Sequence, residues 1–507
     1  MAENIQVGKY TLESLTTGMY SDPKIIYREY IQNSVDALES AVEMGIIEPK
    51  IMRIDIIVDA EASYISIKDN GTGIPSGMAF PTLMNIGSSQ KRHSNNRGFR
   101  GIGRLGGMSY CGRLVFTTSA ENEEIKTIVE FDCKKLRQLL IPGAKEEMDL
   151  ATVLASVTKV RHESEKIEKH YFSVELFDVS GFSDLLSIDG VRSYVSQVAP
   201  IPYRTRSFLY ASEVHRFLSQ NGYDIEEFPI FVGESSSDLE PVYKPNRHRY
   251  HSDRNKKKND EILALNTFRV EVDGELYALG WYGSCNWLGS LSESEISGLR
   301  VRKGNILIGD NRTLHSIFKE ARFNGWTQGE LFVVSDKLIP NARRDDFEQN
   351  EAYYKLIEAL RQSVGVEITK AIREASTLRN DTSAKVITEV QQQVSDAAVT
   401  VQEGFNSSVD KTRLLDQLTA ATETLRKTKV RDDLKLKKEA LQKKLEDTIV
   451  DVSGSKNYKI NQINSGVDKR SKRILSVVSD ILSEKLSKAL VDDIIEEIIT
   501  VLNRKKD

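Results

Sequence analysis

RGFRGIGRLGG, residues 97–107, places five glycines and three arginines in eleven positions and contains a formal G-x-G-x-x-G at Gly101, Gly103 and Gly106. How those glycines are used decides the fold. A dinucleotide-binding turn has to follow a buried strand, yet the preceding residues 87–96, GSSQKRHSNN, are all polar. A protein-kinase loop needs a valine two residues after its last glycine and the partners H-R-D and D-F-G, none of which occurs downstream. The Walker A pattern G-x-x-x-x-G-K-[ST] is also missing. What remains is Gly98-x-x-Gly101-x-Gly103 leading into an apolar stretch, with Arg97, Arg100 and Arg104 alongside. Such a segment reads either as an ordinary glycine-rich turn or as a loop whose bare backbone N–H groups, ahead of a helix N-terminus, hold a polyphosphate.

Two upstream segments bear on that choice. Ile26, Tyr30, Ile31, Val35, Leu38 and Val42 recur at three- to four-residue spacing, which predicts a helix over 25–44 with one buried face. Its polar side, within REYIQNSVDALESA (28–41), carries Glu29 and Asn33 at i, i+4 and Asp36 three residues on. This is the polar face of an amphipathic helix, or a carboxylate able to activate water beside a carboxamide able to ligate Mg2+. Strands are expected over 53–58 and 64–68, the second ending in the turn of YISIKDNGTGIP (64–75) at Asp69, Gly71 and Gly73. The strand-end Asp before a glycine turn reads as turn chemistry, or as an acceptor for an adenine amino group with glycines leaving room for the base.

In this order, helix Glu/Asn, strand Asp-x-Gly-x-Gly and glycine-rich lid, residues 20–120 resemble the Bergerat fold of the GHKL ATPases: gyrase B, the ninety-kilodalton heat-shock chaperone, histidine kinases, MutL and MORC proteins. The resemblance implies Glu29 as general base for water, Asn33 as Mg2+ ligand and Asp69 as adenine acceptor. Asp36 is grouped with these nucleotide contacts. It also implies Gly71 and Gly73 shaping the base pocket, and Gly98, Gly101 and Gly103 on the phosphates. NIGSSQK (85–91) resembles the chaperone's lid entry and adds Asn85 and Lys91. LRVRKGNILIGD (299–310) and GELFVVSDKLIPNARRDD (329–346) are similar to the chaperone's middle domain and imply that Arg344, with Arg343 as the competing choice, reaches the γ-phosphate. The family's Gly-Thr pair at the start of a late strand is missing from HYFSVELFDV (170–179).

At 507 residues the chain has room for about two to four domains. The expected architecture is α/β: a Bergerat α/β-sandwich ATPase domain (1–182), an α/β transducer or middle domain (183–375), and a helical, coiled-coil-prone C-terminal region (376–507). The last lacks proline and tryptophan and carries stripes such as Leu414, Leu418, Ala421 and Leu425. With 70 Lys and Arg against 74 Asp and Glu, net charge gives no global argument for nucleic acid. KPNRHRYHSDRNKKKND (244–260) is the local exception, read as a solvated loop or as a contact for DNA or an acidic partner. Three cysteines without a C-x-x-C pair exclude a disulfide framework, MAENIQVGKY lacks the apolar core of a signal peptide, and no apolar run approaches the ~18 residues of a membrane span. A cytoplasmic protein with no membrane partner is therefore expected.

The function that follows is slow, Mg-ATP-dependent hydrolysis by a homodimeric, nucleotide-gated clamp acting on a protein client in chaperone or remodelling fashion. The alternatives are a DNA-associated clamp of the MutL/MORC kind, such as one in bacterial defence, and a nucleotide-sensing scaffold without turnover. A self-kinase is disfavoured because no His-bearing dimerisation helix precedes the domain, and a topoisomerase because no tyrosine-bearing cleavage domain is evident.

Overall fold

The structure, a computed structural model, describes residues 22–84, 103–141, 149–252, 258–379, 382–430, 432–462, 469–486 and 488–504. Asn85, Lys91, Gly98 and Gly101 lie outside the described residues, as does 253–257 of the basic run. The chain divides into two compact units, Met1–Thr369 and Lys370–Asp507.

In the first unit, helix α1 (Ile25–Glu43) buries Ile26, Tyr30, Ile31, Val35 and Leu38, the apolar side set by the three-to-four spacing. It closes in a C-terminal hydrogen-bond pair, Gly45 N–H to Val42 O at 3.0 Å and Ile46 N–H to Ala41 O at 2.8 Å. Strands β1 (Ile54–Asp59) and β2 (Tyr64–Asp69) form an antiparallel hairpin in which Asp69 lies opposite Ile54. The other strands are β3 (Arg113–Ser119), β4 (Ile125–Asp132), β5 (Thr158–Ser164), β6 (Tyr171–Phe177), β7 (Ile230–Gly233) and β8 (Glu240–Pro241). Together they make an eight-stranded sheet in the order β5-β4-β3-β6-β2-β1-β7-β8. The sheet runs past residue 182, because β7 pairs in parallel with β1 at its far side.

One core joins α1 to the inward residues of the sheet, Ile56, Ile65, Ile67, Phe116, Val129, Phe131 and Leu176 among them. The opposite face carries a ladder of charge, with Lys126–Glu163 at 3.3 Å, Arg161–Glu130 at 3.4 Å and Arg113 over the Phe177 ring at 4.1 Å. Alternation of apolar and charged residues along β3 and β4 thus produces a helix-covered face and a polar face.

A second sheet contains β11 (Ala264–Val272), β12 (Glu275–Ser284), β13 (Gly298–Lys303), β14 (Ile306–Ile308) and β15 (Gln328–Val333), in the order β11-β12-β15-β13-β14. The short pair β9 (Arg249–His251) and β10 (Asn259–Glu261) stands apart from it. At its centre Glu330 of β15 accepts hydrogen bonds from Arg302 and Tyr203, and Lys244 Nζ lies 3.5 Å away. Burial opposes ionisation of Glu330, but Arg302 and Lys244 outweigh it and hold the carboxyl at about 2. Burial also pulls the Lys244 ammonium down to about 7. Helix Ile188–Val198 links this cluster to the first sheet's side of the unit: Arg302 Nη2 donates to Gln197 O at 3.1 Å, and Arg28 of α1 sits 6.0 Å from the Tyr194 ring centroid.

The second unit is helical. Thr382–Glu403, Ser408–Lys427 and Asp432–Gly454 pack around Ile387, Val390, Val394, Leu414, Leu418, Ala421, Leu425, Leu441 and Leu445. The leucine stripes read from the sequence are therefore used inside the unit. The third helix stops at Gly454, the first residue of the sequence GSKN (454–457).

Glu330→Ala is expected to destabilise the first unit by about 3–5 kcal/mol, because it leaves Arg302 and Lys244 buried without a counter-charge. Urea denaturation of the variant beside wild type measures it; a loss below about 1 kcal/mol would mean the cluster relaxes into solvent.

Candidate active site

Glu29, Asn33 and Asp36 share the polar arc of α1, where Glu29 and Asn33 are partly buried and Asp36 is fully so. The turn after β2 meets the same helix one turn beyond Asn33. A Cβ on Gly71 would lie 2.7 Å from the backbone of Ala37, and Thr72 N–H donates to Ala37 O at 3.3 Å. Gly73 has φ +63°, and a Cβ there would overlap the Ser119 carbonyl. Both glycines thus allow a close approach that any side chain would block, and the result is Asp69 held next to the helix.

Asp69 is buried, and one carboxylate oxygen accepts from Gly71 N–H at 2.9 Å. Burial pushes its carboxyl up to about 7, against the opposing hydrogen bonds of Ser34, Gly71 and Phe172. Where the late strand lacks a Gly-Thr pair, His170 brings Nδ1 2.8 Å from Gly71 O, and Thr118 of β3 accepts from Ile74 N–H at 2.7 Å. Those two groups and Ser34 were not singled out in the sequence. His170 does stand at the start of the late strand, but the cross-strand partners that bring it to the turn have no local signature.

The glycine-rich segment enters the described residues at Gly103, where a 3-10 turn runs to Ser109. It is tied to α1 by Gly107 N–H donating to the Tyr30 hydroxyl at 3.0 Å.

From the far side comes Arg344. After Pro340, Asn341 N–H donates to Asp346 O at 2.9 Å and Arg344 N–H to Asn341 O at 3.1 Å, closing a tight turn. Arg344 itself sits at φ +56°, a conformation that costs a non-glycine residue roughly 1–2 kcal/mol. Its carbonyl is gripped by Gly309 N–H at 2.9 Å and by Arg28 Nη1 at 3.2 Å. The side chain, 13% exposed, places Nε 3.9 Å from Glu29 Oε1. Arg343 is 60% exposed and instead pairs with Asp345 at 2.9 Å. Of the two arginines, it is Arg344 that the fold brings to Glu29.

The basic run divides differently. Lys244 is in the buried cluster, Arg247 lies 3.5 Å from Glu293 and Arg249 lies 3.6 Å from buried Glu261. Each of these three cations therefore already faces a carboxylate.

An α/β sandwich with a carboxylate-bearing helix laid across an Asp-x-Gly-x-Gly strand end is the arrangement of a GHKL ATPase domain. Residues 20–163 match the family model described as "Histidine kinase-, DNA gyrase B-, and HSP90-like ATPase", and the N-terminal domain of this chain belongs to that superfamily. A stretch of 126 residues is 27% identical to the chaperone protein HtpG of Rhodospirillum rubrum, covering 24% of this chain. The matched stretch spans 18% of that relative's length. No helix among the described residues is long and apolar enough to cross a membrane.

Asp69 generates a pH dependence. Its folded pKa of about 7 lies above the ordinary 3.8, so the folded state holds the proton more tightly than the unfolded chain. The stability this contributes is full below pH 3.8 and is lost as pH rises through 7. Asp69→Asn should flatten the wild-type fall in melting temperature between those limits; parallel curves for the two proteins would show that the carboxyl does not titrate there.

Proposed function

We propose that this protein binds Mg-ATP on α1 and the Asp69 turn and hydrolyses it slowly. The observation that carries the reading is the meeting of Glu29 with Arg344 at 3.9 Å. A base for water and a planar cation for the γ-phosphate come from distant parts of the chain and converge on one point. In this reading Asp69 accepts from the adenine amino group, and Gly71 and Gly73 let the turn pack against Ala37 and Ser119 so that the carboxylate is held in place. Among the described residues no three His, Cys, Asp or Glu side chains converge as a metal site. In this reading Mg2+ would be held by Asn33 together with phosphate oxygens and water, where it would neutralise phosphate charge.

The chemistry asked of the chain is simple. Glu29 takes a proton from water as the water oxygen bonds to the γ-phosphorus, and the bond from phosphorus to the β,γ-bridging oxygen breaks to release ADP. Arg344 stabilises the charge spread over the transferring group. Because its loop also packs on the second sheet's side through Gly309, ATP can bias that sheet only through a differential affinity for the arrangement with Arg344 engaged. We place this coupling in a chaperone-like, homodimeric clamp. Supporting self-association, the helix Lys469–Lys485 exposes Ile474, Val477 and Ile481 on one face. Lys244, Arg247 and Arg249 face carboxylates within the unit, and this reading takes a protein client ahead of DNA.

Turnover of Mg-ATP tests the reading. Glu29→Ala should retain ATP binding and lose about 10²–10⁴-fold in kcat, and Arg344→Ala about 10²–10³-fold. ATP binding without turnover in wild type would support a nucleotide-sensing scaffold instead, and a Glu29→Ala variant as active as wild type would remove Glu29 as the base. Affinity for ATP should also rise as pH passes 7, since the ionised Asp69 is the stronger acceptor for the amino group; a flat binding profile by calorimetry would count against the adenine contact.

A further inference from the structure

Gln32 occupies an unusual position on α1. It stands three residues after Glu29 and one before Asn33. At about 100° per residue it falls between Arg28 and Asp36, within ~40° of each and ~60° from Glu29. It is only 2% exposed. Among the described residues nothing hydrogen-bonds either its amide oxygen or its amide nitrogen, and the Nε–H of Arg28, one turn earlier, also lacks a partner. Three unfilled hydrogen-bonding atoms thus gather on one turn of the helix that carries Glu29.

Such an arrangement is costly for folding. Burying an amide unpaired sacrifices its hydration, and at a mid-helix site leucine or methionine would fill a similar volume with equal helix propensity and no such loss. Gln32 caps no helix end, since α1 begins seven residues earlier and ends eleven later. The same turn is engaged with Arg344, through Arg28 Nη1 on the Arg344 carbonyl. The amide here offers an NH2 group with two N–H donors and an acceptor oxygen, and Arg28 Nε–H adds a further donor, enough to supply the two to four partners of an ordered water.

We propose that Gln32 is a positioning residue of the hydrolytic site: with Arg28 Nε–H it holds an ordered water that hydrogen-bonds the Glu29 side of the helix and keeps the base aligned on its substrate water. This rests on the ATP hydrolysis proposed above. Gln32 moves no proton and touches no reacting atom; it acts through Glu29.

The test uses the full chain with Gln32→Leu and Gln32→Met beside wild type and Glu29→Ala, reading thermal stability, ATP affinity, kcat and KM. The expected result has opposite signs: both apolar variants melt at or above the wild-type temperature and bind ATP within about twofold, while kcat falls at least ~10-fold with KM little changed. A role in packing alone would not raise stability while lowering kcat. If kcat stays within about twofold of wild type, or if the variants lose stability and ATP binding together, Gln32 is not a positioning residue. Wild type without turnover removes the hydrolysis reading along with this one, whereas active wild type with equally active Gln32→Leu removes this one alone.

Discussion

The first unit turns on how the Arg344 carbonyl is held. Two donors, Gly309 N–H and Arg28 Nη1, fix that oxygen and hold the residue in a left-handed conformation it would otherwise avoid. Strain of this kind persists only where surrounding structure over-determines it. Here the outcome is a guanidinium aimed at Glu29, and the carbonyl grip joins helix α1 directly to the loop that follows the second sheet.

A second constraint keeps the other side of the site in place. The turn after β2 lies so close to α1 that Gly71 abuts Ala37, and Tyr30 holds Gly107 from the same helix. Helix α1 therefore serves as the common wall for the Asp69 turn, the base of the glycine-rich segment and the Arg344 loop. Its apolar face is fixed in the core with the sheet, so the polar arc cannot rotate away without exposing Ile31, Val35 and Leu38. Buried Glu330 has the corresponding role in the second sheet, where one carboxylate gathers Arg302, Lys244 and Tyr203 from different segments. Helix Ile188–Val198 touches both regions through Tyr194 and Gln197 and gives the two sheets a shared rigid element.

The polar features that could be read locally and those that could not differ in kind. Charge in the 244–260 run suggested a surface, but Lys244 is buried because its partner Glu330 lies on a strand 86 residues away. Similarly, the missing Gly-Thr pair marked a gap in a known pattern, while the groups that support the turn, His170 and Thr118, come from neighbouring strands and meet it only once the sheet has formed.

By itself the sequence determined what depends on short-range order. The spacing of apolar residues set α1 and the strands, and the ordered triplet of Glu29 with Asn33, Asp69 with its glycines, and the glycine-rich segment identified the class of the N-terminal domain. These signals lie within a few turns or a single hairpin, where periodicity and turn chemistry dictate geometry. Only the tertiary structure decided which of two adjacent arginines faces Glu29, that the first sheet takes β7 from beyond residue 182, and that Gln32 is buried with its amide unfilled. Those outcomes depend on which surfaces are brought into contact over hundreds of residues, and neither composition nor periodicity encodes such a contact.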